Sequence, residues 1–252
     1  MMMGIGTGAF PNQSGEEHAL VLLRDTIFTT KHEQLVVFDV GANKGQFLEV
    51  LLNVFHKNRV HIYSFEPVKS SFLNLKKRYE KNKNVTLENI GFDDHPNKSK
   101  IYYDEPGSLY ASKYNRDVSR LNVSFEQYEI ASFQTIDQYC EIKNIRIIHC
   151  LKIDVEGNEL NVLKGAHRLF KNKAITSVLF EFGPAQIDSR TFFKDFYTYL
   201  NSVNLANIYR ILPSGKLLSI ESYDEKLEMF FTTNYLAISE TMNIDHMILK
   251  TG

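Results

Sequence analysis

Apolar positions fall into two alternating rhythms from about residue 35 onward. Leu35-Val36-Val37-Phe38-Asp39-Val40 is short, continuously apolar and rich in β-branched residues, which predicts a strand buried on both faces. Behind it, Phe47, Val50, Leu51, Val54 and Phe55 recur at helical spacing and predict a helix over 44–56 with a single apolar stripe. Val60-His61-Ile62-Tyr63-Ser64-Phe65 repeats the strand pattern, and Val68, Phe72, Leu75 and Tyr79 repeat the helical one. The opposite face of that second helix carries Lys69, Lys76, Lys77 and Arg78 and reads as a solvated surface.

A third strand over 84–88 runs into Asn89-Ile90-Gly91-Phe92-Asp93-Asp94, after which the alternation lapses. Residues 95–133 carry turn chemistry (His-Pro, Glu-Pro-Gly) and short alternating stretches, so they predict small strands and loops, an insertion of the kind that often carries substrate contacts. The rhythm resumes with Thr135 as N-cap of a short helix and a strand over 146–153. Next come a helix carrying Leu160, Leu163, Ala166 and Phe170, a strand over 174–182, and a helix carrying Phe192, Phe196 and Tyr199. Strands over 206–212 and 229–238, around a Pro-Ser-Gly turn at 213–215, close the pattern and predict one antiparallel strand at the end of the sheet. Strands separated by helices mean βαβ units and hence an open, mostly parallel seven-stranded α/β sheet. Residues 1–34 read as an N-terminal arm and helix ahead of one domain over 35–252, and Gly4-Ile5-Gly6-Thr7-Gly8 reads as a lid or a loose arm.

In such sheets ligands bind at the carboxyl ends of the strands, and every strand end here carries a carboxylate: Asp39, Glu66, Asp93 or Asp94, Asp154 with Glu156, and Glu181. The first of these opens Asp39-Val40-Gly41-Ala42-Asn43-Lys44-Gly45, where glycines between strand and helix let the backbone approach a ligand. The spacing is not that of a dinucleotide fingerprint, and an Asp at the strand end repels a diphosphate. It suits a cationic ligand, and S-adenosylmethionine has both an ammonium and a sulfonium group. Glu66, at the second strand end, is placed for a ribose diol. Asp154 and Glu156, flanking Val155 and followed by Gly157, form a carboxylate pair able to take or orient the proton of a hydroxyl, and Glu181 on the next strand faces the same cleft. Glu159 fits an ordinary partner for its helix dipole. His149, of opposite parity to Asp154, reads as a packed or hydrogen-bonded core histidine.

Taken in order, VVFDVGANKGQF, IYSFEP, NIGFDD, ASFQTIDQY, LKIDVEGNELNVLKGA and VLFEFGP resemble the FkbM-type branch of class I S-adenosylmethionine-dependent methyltransferases, over residues 35–184. The resemblance implies a doubly wound, Rossmann-like methyltransferase fold. It implies S-adenosylmethionine held by Asp39, Gly41, Asn43 and Gly45, with Ala42 beside them, and by Glu66 with Pro67. Where the family has an A-L-S-D pattern this chain reads Gly91-Phe92-Asp93-Asp94, so the adenine contact falls to Asp93 or Asp94; Asp93 is taken. The implied reaction is methyl transfer to a hydroxyl of a small molecule, sugar or glycan, for which Asp154, Glu156 and Glu181, read above from their strand ends, are the expected catalytic residues. A divalent metal held by the same carboxylates is a second route, and the metal-free one is preferred. The rival readings are a catalytically inactive S-adenosylmethionine-binding partner subunit and, less well supported without G-x-G-x-x-G, an NAD-dependent oxidoreductase.

Charge narrows the partners. With 29 Lys+Arg against 30 Asp+Glu over 252 residues the net charge is −1, which lacks the electrostatic footprint for non-specific nucleic-acid binding or a polybasic membrane anchor. No apolar run reaches the roughly 18 residues of a membrane span, and the N-terminal stretch resembles no secretory leader, so a cytoplasmic location is expected. Cys140 and Cys150 form no CxxC and read as buried reduced thiols rather than zinc ligands or a disulfide.

Overall fold

In the structure, a computed structural model, residues 14–26, 28, 34–55, 59–119, 122–239, 242 and 248–249 are described. The Gly-rich start at 4–8 lies outside them. Helix α1 (Glu16–Thr26) precedes strand β1 (Leu35–Val40), followed by α2 (Gln46–Val54), β2 (Val60–Phe65), α3 (Lys69–Tyr79) and β3 (Val85–Glu88). β4 (Gly91–Phe92) follows, and the insertion supplies β5 (Asn97–Tyr103) and most of β6 (Gln127–Gln134). Alternation then returns with α4 (Ile136–Lys143), β7 (Ile148–Ile153), α5 (Glu159–Lys164), α6 (His167–Lys171) and β8 (Ile175–Phe182). The remaining elements are α7 (Ala185–Ser189), α8 (Phe193–Ser202), β9 (Asn207–Ile211), β10 (Leu217–Ser219), β11 (Thr233–Ile238) and β12 (Ile248–Leu249).

Among the described residues the main sheet has nine strands in the order β12-β10-β9-β11-β8-β7-β1-β2-β3. The five from β3 to β8 are mutually parallel. Side-chain alternation makes the sheet doubly wound. Val37, Cys150, Leu179 and Leu236 meet α1 and α2 on one face. Phe38, Leu151, Ile153, Phe180 and Phe182 meet α4, α5, α6 and α8 on the other. The apolar runs are continuous because both faces are covered.

The sheet differs from the sequence expectation in three ways. It has nine strands rather than seven, because β10 and β12 have three and two residues, too few to show a period. The turn at 213–215 leads into β10, not into the 229–238 segment, whose strand begins at Thr233. Three strands rather than one run against the parallel set: β10 and β12 at the sheet's end, as expected there, and β11, which lies between β8 and β9 and is antiparallel to both. All six of its residues are buried, and a strand covered on both faces must also pair both edges to satisfy its amides. The 160–170 helix is broken at Gly165, against which the Asp93 carbonyl packs; a Cβ there would lie 2.2 Å from that oxygen.

The insertion and β4 form a second sheet, β4-β6-β5, and residues 104–119 fold from it toward the carboxyl edge of the main sheet. Thr135 caps α4 as expected, its hydroxyl accepting from the Gln138 N–H at 3.1 Å. The basic face of α3 is exposed. Cys140 and Cys150 are free and buried, and burial pushes both thiols up to about 12. Among the described residues no helix is long and apolar enough to cross a membrane.

Candidate active site

On the α1/α2 face Asp39 pairs with Lys152 at one level, beside Leu179 and Leu236, and Glu181 pairs with Asn234 one step closer to the carboxyl edge, so the apolar floor of that face ends in a stepped polar ledge. That ledge bounds a cavity of about 660 Å³. Asp39, Gly41, Ala42, Asn43, Glu66, Pro67, Asp154, Glu156 and Glu181 all line it, so nine of the eleven residues singled out from the sequence converge there.

The β1–α2 turn is tied to the end of β2 through Gly41 N–H and Ala42 N–H, both donating to the Phe65 carbonyl at 3.0 Å. Gly41 has φ 87°, and a Cβ there would lie 1.8 Å from the Asp154 carbonyl, so the turn packs against the β7 terminus as only glycine permits. Gly45 does not line the cavity; it is the N-cap of α2 at φ 83°, packed against Leu75. Asp39 is 1 % exposed and accepts from Ser64 Oγ at 3.2 Å. Burial pushes its carboxyl to about 6 despite nearby Lys152. Glu66 accepts from the Asn43 and Val68 N–H groups, each at 2.8 Å, and burial still pushes it to about 7. The Asn43 amide nitrogen donates to the Ser108 carbonyl at 2.6 Å, while its Oδ1 is buried with no partner.

Asp93 does not line the cavity. It is fully buried, paired with Lys113 and bonded to Asn97 at 2.6 Å. Burial alone would raise its carboxyl, but the Lys113 and Asn97 hydrogen bonds and the Lys113 charge hold it below its ordinary value. Asp94 turns outward to His95. The cavity wall at this level is instead Ile90, Gly91, Phe92, Ile101 and Phe133.

At the other end, Asp154, Glu156 and Glu181 each bring a carboxylate oxygen within 4.8 Å of the others. Glu156 sits at φ 54° and pairs with Arg116, whose Nε lies 3.4 Å from Asp188. Burial pushes Glu156 to about 7 against the pull of Arg116. Burial, with Asp154 and Glu156 alongside, raises Glu181 well above the ordinary carboxylate range. Lys152, 3 % exposed, reaches Asp154 at 3.1 Å and Glu16 at 3.6 Å. Burial disfavours its charge, but Asp154, Glu16, Glu181 and Asp39 together raise its pKa.

The sequence from Asp39 to Arg210 matches the family model described as the methyltransferase FkbM domain. The chain belongs to the FkbM methyltransferase family. Solved structures similar to this FkbM chain include the FkbM methyltransferase of Methylobacillus flagellatus KT, at 17 % identity and TM-score 0.49 over 86 % of this chain and 47 % of that one. A putative rRNA-methylase from Clostridium thermocellum aligns at 11 % identity and TM-score 0.46 over 91 % and 97 %. A human methyltransferase 10 domain containing protein aligns at 11 % and 0.46 over 92 % and 84 %. The chain thus spans about half the length of the Methylobacillus protein. No curated protein matches it.

Several site residues of this FkbM chain escaped the sequence reading. Lys152 had a legible signal, a lone lysine inside an apolar strand, where an uncompensated charge is costly. Glu159 sits in the first turn of α5 as a dipole partner would, and does more: it is 1 % exposed and accepts from Val155 N–H at 2.9 Å, Gly157 N–H and Gln186 Nε2. It thereby fixes the loop that presents Asp154 and Glu156. Glu16, Lys113, Arg116 and Asn234 come from outside the β/α repeat, and no local pattern marked them. His149 is as expected, accepting from the Val36 N–H at 3.0 Å and packed edge-on against Phe28.

Proposed function

We propose that the chain is an S-adenosylmethionine-dependent O-methyltransferase acting on a hydroxyl of a small molecule or saccharide. The observation that carries this reading is the convergence of Asp154, Glu156 and Glu181 in the same cavity as the Asp39–Gly45 turn and Glu66.

The residues present fit the cofactor. Asp39 offers a buried carboxylate to a cationic group, and Asn43 Oδ1 is an acceptor without a donor. The two oxygens of Glu66 are held by backbone N–H groups and retain lone pairs for a ribose diol. Val68, Phe92, Ile101 and Phe133 give an apolar wall suited to a flat base. When bound, S-adenosylmethionine supplies an electrophilic methyl group, its sulfur keeping the C–S electron pair as a thioether.

What remains for the protein is to orient the acceptor and remove its proton. Orientation of reacting groups supplies several kcal/mol on the order of 7–11 in the best cases. Lys152 holds one oxygen of Asp154, leaving the other to accept the hydroxyl proton, while Arg116 fixes Glu156 beside it. A wall this acidic disfavours anionic acceptors.

The test is incubation with methyl-labelled S-adenosylmethionine and a panel of hydroxylated metabolites and saccharides. Label recovered as a methyl ether is the expected result. Label found solely on carbon or nitrogen acceptors would overturn the assignment.

A further inference from the structure

We infer that Asp154, Glu156 and Glu181, together with the side-chain oxygen of Asn234, bind one hard divalent cation of the magnesium or manganese class. Its use, holding the acceptor hydroxyl, rests on the transfer reading above; its binding is argued from these four side chains.

Three carboxylate oxygens mutually within 4.8 Å match the spread of ligands around such an ion, since oxygens about 2.0–2.2 Å from a cation stand about 3–4 Å apart. The cluster alone would prove little, because acidic groups also gather without a metal. Asn234 is the independent observation. It is 7 % exposed and lines the cavity. It is the register partner of Glu181 across the β8–β11 pair, so both side chains leave the same face of the sheet. Its side-chain amide makes no hydrogen bond among the described residues and opens onto the cavity. A ligand in the cavity satisfies it.

The charges point the same way. Six carboxylates line the cavity, those of Glu16, Asp39, Glu66, Asp154, Glu156 and Glu181, against Lys113, Arg116 and Lys152. Lys113 is engaged by Asp93 outside the lining, Arg116 by Glu156 and Asp188, and Lys152 by Asp154 and Glu16. Glu181 has neither a salt bridge nor a hydrogen bond to its side chain among the described residues. All four donors are oxygen, with no His or Cys, which selects magnesium, manganese or calcium over zinc. A cation there leaves coordination positions for water or a hydroxyl.

The experiment is a manganese titration of the full chain, without cofactor or acceptor, followed by electron paramagnetic resonance and competed with magnesium. One saturable manganese per chain is expected. Glu181→Gln and Asn234→Leu should each weaken it by about tenfold or more, since even residues outside the ligand shell alter affinity by about 10–100-fold. Asn234→Asp, nearly isosteric with an added charge, should tighten it. Binding of S-adenosylhomocysteine by calorimetry confirms that each variant is folded. Absence of saturable manganese binding, or binding that none of the three substitutions alters, overturns the site. The two readings fail separately. Methyl-ether formation that persists in chelator with no manganese bound removes the ion and keeps the transfer, whereas specific manganese binding with no ether product keeps the ion and removes the transfer.

Discussion

In the proposed function, the buried carboxylate of Glu66 couples cofactor binding to pH. Burial pushes it to about 7, even with two backbone N–H groups favouring its charge, and the ionised form is the one that accepts a ribose diol. Affinity for S-adenosylhomocysteine should therefore tighten as pH rises from about 6 to about 8. Calorimetry on Glu66→Gln should show binding weakened by about tenfold or more, with the difference from the parent chain growing with pH. The stability effect has the opposite sense. The folded-state value lies above the unfolded one, so the contribution of Glu66 is fully present below the unfolded pKa and is lost as pH rises through about 7. Free-chain melting temperatures should show Glu66→Gln gaining on the parent toward pH 8. Asp154 is a separate case, with a side chain 38 % exposed and, in the proposed function, the role of proton acceptor. Asp154→Asn should keep cofactor affinity and lose about a hundredfold or more in turnover; full turnover would remove the assignment. Lys152 acts on the whole ledge. Lys152→Met leaves Glu16, Asp39 and Asp154 facing one another without their shared cation and should cost about 3–5 kcal/mol in chemical denaturation.

At the scale of elements, the β1–α2 turn is set by contact and not only by dihedral preference. Gly41→Ala meets a positive φ and the Asp154 carbonyl at 1.8 Å, whereas Gly107→Ala meets a positive φ with only the Lys44 side chain at 3.6 Å. A strained φ alone costs about 1–3 kcal/mol, so Gly107→Ala should stay folded with a loss in that range. Gly41→Ala should exceed it, as read by soluble yield and urea midpoint. This contrast also explains what the sequence could disclose. The long elements were legible because β1, β2, β7 and β8 carry short, mostly apolar runs, and because α2 and α3 carry stripes against them. Asp39, Glu66, Asp154 and Glu181 were legible because each is a carboxylate ending such a run. Asn234 was not, since its place beside Glu181 depends on β11 inserting between β8 and β9, a crossover that no periodicity records. Nor was the pairing of Asp93, since Lys113 reaches it from the insertion.

For the molecule as a whole, the cavity is closed by parts of the chain that the β/α repeat does not contain. Glu16 arrives from α1, and Leu109, Tyr110, Ala111, Lys113 and Arg116 arrive from the insertion. Three of the contacts that hold the insertion down border the cavity: Asn43 to the Ser108 carbonyl, Ser112 Oγ to the Glu156 carbonyl at 2.6 Å, and Arg116 to Glu156 and Asp188. The first of these lies at the cofactor turn and the other two at the acceptor end, so they should separate when cut. Arg116 is 7 % exposed and bridges Glu156 in the loop after β7 to Asp188 on α7, a task for a planar, multiply donating cation that lysine performs poorly. Arg116→Lys and Arg116→Gln should both raise amide hydrogen exchange across 109–116 while leaving 41–45 protected, because local opening follows the lost anchor. With an acceptor in hand, both should raise its KM by about tenfold, the effect of losing roughly 1.4 kcal/mol of positioning, with cofactor affinity near that of the parent chain. Exchange that rises equally at 41–45 would mean that the insertion closes both ends as one body, and the acceptor effect would then carry a matching loss of cofactor affinity.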